Sequence, residues 1–144
     1  MTTHYVDKLS NDTMFGDPFP VIDTGCLLLS PVYLTNCNLN DTPTVSLMEY
    51  YGLVGITQKT PSELQVFLKA YITRIASTLE GDELEDFKIL AKQALDLIIC
   101  HAAMLYIYIN PSQDHTASMG FQWEGQEGNY IRFWKHAFTQ VSTA

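Results

Sequence analysis

The chain has 144 residues, of which 47% are hydrophobic and 17% charged, and it carries a formal net charge of −8. This length and composition fit a single folded domain over residues 1–144 and argue against a disordered chain. The negative balance argues against direct nucleic-acid binding through phosphates and against docking on an anionic membrane.

Residues 1–42 are expected to form an irregular, extended arm. Gly16, Pro18, Pro20, Gly25, Pro31 and the Asn-rich run from Asn36 to Asp41 interrupt any helix. Two short apolar runs survive, Val21-Ile22 and Cys26 to Leu34, the second broken by Pro31. They leave room for a minor β element. Lys8 is the only lysine or arginine before Lys59, while Asp7, Asp12, Asp17, Asp23, Asp41 and Glu49 share that stretch. A face built from it suits a partner with a basic surface.

Residues 43–110 are expected to be a helical core. Thr42-Pro43 opens a first helix lined by Leu47, Met48 and Tyr51, with Gly52 as its C-cap. Thr60-Pro61-Ser62-Glu63 is the strongest start signal: an N-cap Thr, Pro at the first position and Glu at the third. The helix it opens carries Leu64, Phe67, Leu68, Tyr71, Ile72, Ile75 and Leu79 on one face and stops at Gly81. The tight Glu80-Gly81-Asp82 link predicts an antiparallel helical hairpin.

A long helix is then expected from Asp82, its N-cap, to Ile109, before Asn110-Pro111. Leu84, Phe87, Ala91, Ala94, Leu95 and Ile98 recur at helical spacing, with Lys88, Lys92 and Asp96 opposite. From Leu97 to Ile109 the polar face vanishes. A helix apolar all round is buried all round, and one small domain has few neighbours to cover it. A second subunit is therefore expected, as a homo-oligomer or a complex with another protein. The run is shorter than the about 20 apolar residues that span a membrane.

Residues 111–144 are expected to form a polar loop, then a short strand or aromatic-anchored loop at Phe121 and Trp123. A last, aromatic-rich helix follows, capped by Asn129 and carrying Tyr130, Phe133, Trp134, Ala137, Phe138 and Val141. The predicted fold class is thus mainly α: a helical hairpin core, flanking short helices and an extended N-terminal arm.

Val21-Ile22-Asp23-Thr24-Gly25 resembles the active-site loop of retroviral-type and pepsin-type aspartic proteases. The resemblance implies Asp23 as a catalytic aspartate, supplied twice by a homodimer so that two carboxylates share a proton. An ordinary turn is the competing reading of the same residues.

Cys26, Cys37 and Cys100 do not make a disulfide framework, and no secretory leader is read at the start, which fits a cytoplasmic setting. Asn11-Asp12-Thr13 and Asn40-Asp41-Thr42 are read as turns. His4, His101, His115 and His136 are scattered, so no metal site and no cofactor are expected. His101, beside Cys100, reads as a hydrogen-bonded core histidine.

Two groups stand out as surfaces. Glu80, Asp82, Glu83, Glu85 and Asp86 form the densest acidic cluster, either a helix start or a phosphate-mimicking face. Phe121, Trp123, Tyr130, Phe133, Trp134 and Phe138 serve equally as interface anchors or as core. The favoured function is a non-enzymatic interaction or assembly protein. The alternatives are an acidic mimic that inhibits a nucleic-acid-binding protein and, as a minor reading, a peptidase using Asp23.

Overall fold

A computed structural model describes residues 2–33, 45–56, 60–125 and 128–143. Thr42-Pro43, Cys37 and Asn40-Asp41-Thr42 lie outside them. In chain order the elements are β1 (Thr2–Asp7), β2 (Thr13–Gly16), β3 (Ile22–Asp23), β4 (Leu27–Pro31), α1 (Leu47–Tyr51) and β5 (Val54–Ile56). Next come α2 (Pro61–Ala76), α3 (Gly81–Cys100), β6 (Tyr106–Ile109), β7 (Met119–Gly125), β8 (Gly128–Trp134) and β9 (Phe138–Thr143). Three strands form one antiparallel sheet, ordered β2-β1-β9, and six form another, ordered β3-β4-β8-β7-β6-β5. The expectation of a mainly α fold is therefore corrected: the protein is sheet-rich, and the helices cover a sheet instead of forming the core.

Register explains the layering. Opposed residues share a face, and successive residues alternate. Leu27 opposes Trp134, Phe121 opposes Ile107, and Met119 opposes Ile109, so these point one way. That face meets the helices, for Tyr71 of α2 and Phe87 of α3 pack on Trp134 at 5.8 and 6.4 Å between ring centroids. Leu28 and Gly120 both oppose Phe133 and point the other way. There Phe15 of β2 and Phe138 of β9 contact Phe133 at 3.9 and 5.6 Å. The six-stranded sheet is thus the middle layer, and its central strands β4, β8 and β7 are covered on both faces, which explains their weak polar alternation.

Helix α2 starts where its capping signals place it. Thr60 Oγ1 accepts from the Glu63 N–H, and the Glu63 carboxylate accepts from the Thr60 N–H, both at 3.2 Å. Gly52 closes α1 in a left-handed conformation, φ 72°. Helix α3 packs against α2 across a short link. It begins at Gly81, and the N-cap position is Glu80, without a side-chain cap, instead of Asp82.

The long helix to Ile109 is corrected as well. Helix α3 ends at Cys100, a 3-10 turn follows over Ala102–Met104, and β6 takes the rest. In β6, Ile107 and Ile109 are buried while Tyr106 is 62% exposed. The run looked apolar all round because a helical stripe ends in it and a period-two strand begins. Leu97 at 39% and Met104 at 57% exposure show that it is not hidden on every side.

The predicted last helix is β8, a 3-10 turn over Lys135–Ala137, and β9. Ile131 and Phe133 are buried between half-buried Tyr130 and Arg132, a strand period. The described residues of the irregular arm hold four strands, because β-branched and aromatic residues at Tyr5, Val6 and Phe15 find partners in other strands. Among the described residues, no helix is long and apolar enough to cross a membrane.

Candidate functional site

One edge strand of each sheet, β9 of the small one and β3 of the large one, contributes residues to a common space. Between them opens a groove of about 470 Å³. It is lined by Tyr5, Val21, Leu28 and Phe138 and by the polar side chains of Asp23, Glu83, Lys135, His136 and Gln140. A second recess of about 210 Å³ shares Tyr5, Val21 and Gln140 and extends the groove to Gly16, Asp17 and Phe19.

Asp23-Thr24-Gly25 turns β3 into β4. The Thr24 N–H and hydroxyl both donate to the Leu27 carbonyl, at 3.0 and 2.6 Å, and the Gly25 N–H donates to Asp23 Oδ1 at 2.8 Å. This is the self-bonded turn geometry of aspartate. The carboxylate of Asp23 also receives Lys135 Nζ at 2.8 Å on Oδ2. The Lys135 hydrogen bond, then that of Gly25, holds Asp23 below the usual carboxylate range, and the same bond raises Lys135. In this chain Asp23 therefore faces a lysine, where the protease resemblance implies a second carboxylate.

The start of α3 brings carboxylates to the same region. Lys8 Nζ donates to Glu83 Oε1 at 3.0 Å, and His136 Nε2 meets Asp86 Oδ2 at 3.1 Å. His136 is 6% exposed, with Phe87 edge-on to its ring at 5.5 Å. At the far end, Asp17 Oδ2 accepts the Thr3 N–H at 2.6 Å. Burial raises the Tyr5 phenol first, and the Asp23 and Asp17 carboxylates raise it further.

Of the acidic cluster, Glu80, Asp82, Glu83, Glu85 and Asp86 are all exposed. Glu83, Glu85 and Asp86 face Lys8, Lys88 and His136. The aromatic set divides differently: Phe121, Trp123, Phe133, Trp134 and Phe138 are buried, and Tyr130 is half-buried. His101 Nδ1 lies 2.9 Å from the Leu97 carbonyl, and its ring stacks on Trp123 at 4.4 Å. The Arg132 guanidinium sits 3.7 Å from the Trp123 ring centre. Among the described residues, no group of three His, Cys, Asp or Glu side chains is placed to hold a metal. Sequence reasoning singled out Asp23, Glu83 and Asp86 but missed Tyr5, Lys135 and Gln140. No local pattern marks those three, because only sheet pairing brings them together.

No protein-family model matches the chain, and no curated protein matches it. The layered sheets and helical hairpin define a fold seen in solved structures. It is shared with the translationally controlled tumor-associated protein p23fyp from Schizosaccharomyces pombe, with a TM-score of 0.80 over 98% of this chain and 99% of that one. The two sequences are 17% identical, so the likeness is one of fold.

Proposed function

We propose that the chain is a non-enzymatic protein-binding module that takes a basic segment of a partner in the groove between its sheets. The observation that carries this reading is that Asp17, Asp23 and Glu83 line the same adjoining recesses as the apolar side chains of Val21, Leu28 and Phe138. Apolar contact supplies affinity, and the carboxylates favour lysine or arginine and reject acidic chains. The net charge of −8 steers the same partners. Free Cys26 and Cys100 suit a reducing compartment, and we place the protein in the cytoplasm.

Two earlier expectations lose ground. The reason to expect a second subunit was a rod apolar on all sides, and that rod is absent. Phosphate mimicry needs a row of free carboxylates, yet Glu83 and Glu85 are held by Lys8 and Lys88; the groove reading instead has an incoming cation exchange with the lysines on Asp23 and Glu83.

The test is equilibrium binding of short peptides by fluorescence anisotropy. Lysine-rich peptides should bind, their glutamate counterparts should not, and affinity should fall as salt rises. Asp23→Asn combined with Glu83→Gln should weaken binding by about tenfold. Equal binding of acidic and basic peptides would sink the reading.

A further inference from the structure

The edge strand beside the groove is open. Among the described residues β9 pairs with β1 alone. The Lys8 N–H donates to the Ala137 carbonyl at 2.9 Å, which sets the phase of the ladder. In an antiparallel pair bonded residues alternate, so Thr139 and Val141 bond to Val6 and His4. The backbone groups of Phe138, Gln140 and Ser142 then point away from β1. The opposite strand agrees: Thr3 accepts from the Asp17 N–H at 2.9 Å, and Asp7 donates to the Asp12 carbonyl at 2.8 Å, both toward the β2 side.

Natural sheets guard such edges with charges, prolines or bulges. Phe138–Thr143 reads FTQVST, with neither charge nor proline, and its residues 139–142 are exposed. This edge borders the groove, which Phe138 and Gln140 line together with Asp23 and Glu83.

We infer that β9 is a strand-addition site: an extended basic segment of a partner protein pairs with its outer edge, closes the mouth between β9 and β3, and sets a lysine or arginine against Asp23 and Glu83. The inference rests on the groove reading above and specifies its mode. Main-chain hydrogen bonds to Phe138, Gln140 and Ser142 supply affinity that does not depend on side chains. The carboxylates select among the extended segments that can pair, by charge complementarity. Lys135 already occupies Asp23 and Lys8 occupies Glu83, so the arriving cation exchanges with one of these exposed surface pairs.

The probe is an acetylated hexapeptide of alternating lysine and valine, labelled for anisotropy and titrated with the full chain. N-methylation at alternate peptide bonds should weaken binding by about tenfold along one edge and leave it unchanged along the other, because an added strand bonds through one edge only. Gln140→Pro removes one outward N–H without touching the β1 ladder and should weaken binding by about tenfold. Gln140→Ala removes a groove-lining side chain but keeps that N–H, and should bind more tightly than Gln140→Pro; equal loss in the two variants would overturn the main-chain contact. Circular dichroism checks the fold of each variant, and the methylated peptides decide the matter if the proline variant unfolds. If binding depends on Asp23 and Glu83 but ignores N-methylation, strand addition is overturned while the groove reading survives. No binding of the hexapeptide at all overturns both.

Discussion

Phe15 and Phe133 lie flat against each other, ring centroids 3.9 Å apart and planes within 4°. One ring belongs to the small sheet and the other to the middle of the large one, so this contact joins the two layers. Both rings are fully buried. Phe138 meets both edge-on, at 4.9 and 5.6 Å.

Truncating either ring leaves a hole between layers that cannot collapse without shifting a strand. Phe133→Ala should cost about 3–5 kcal/mol in chemical denaturation, a large part of a typical domain's stability. Phe15→Leu should cost less, since most of the volume remains. A Phe133→Ala variant as stable as the wild type would mean that the sheets do not meet through this pair.

Two glycines make close approach possible. A Cβ on Gly120 would stand 2.7 Å from both Ile131 Cδ1 and Phe133 Cε1. Gly120→Ala should destabilise by about 1–3 kcal/mol through overpacking. Gly16 has φ 139°, and its Cβ would stand 2.5 Å from the Thr3 carbonyl oxygen. Backbone yields less than side chains, so Gly16→Ala should be the more damaging of the two. Thermal unfolding of both variants checks the order.

The capping box at Thr60 and Glu63 is exposed and makes no demand on the core. Thr60→Ala should cost about 1 kcal/mol and Thr60→Asn far less, since Asn also accepts from the helix N–H groups. Urea midpoints compare the three.

Tyrosine titration should be split by burial. Desolvation raises Tyr51 to about 12 and pushes the fully buried Tyr71 higher still. A phenol raised on folding stabilises the native state below its unfolded value of about 10, and that stability is lost as pH climbs through the folded value. Tyrosinate absorbance should therefore rise in two stages, the later one coinciding with unfolding. Tyr51→Phe should make the alkaline decline shallower. A single transition near 10 for all eight tyrosines would contradict the burial pattern.

At the acid end the sign reverses. Asp23 is lowered on folding, first by its hydrogen bond to Lys135 and then by Gly25. Its contribution is present above the unfolded carboxylate value and lost as pH falls through the folded one. The side chain is 51% exposed, so the loss should stay under about 1 kcal/mol. Asp23→Asn should remove that part of the acid dependence, as read from urea unfolding at mildly and strongly acid pH.

The sequence alone determined what depends on neighbours within a few residues. Thr60, Pro61 and Glu63 fix the start of α2 because a cap is a bond between residues three apart, and Gly52 ends α1 because only the local φ matters. The turn at Asp23-Thr24-Gly25 belongs to the same class. Tertiary structure decided the rest. Tyr106 to Ile109 and Tyr130 to Trp134 carry apolar residues that satisfy a helical period and a strand period at once, and a short run cannot choose between them. The partners that chose, Met119 to Gln122 for the first and Leu27 to Pro31 for the second, lie elsewhere in the chain. The groove has the same origin. Tyr5, Asp23, Glu83 and Gln140 come from four separate elements, and only the pairing of β1 with β9 and the stacking of one sheet on the other set them around a common space.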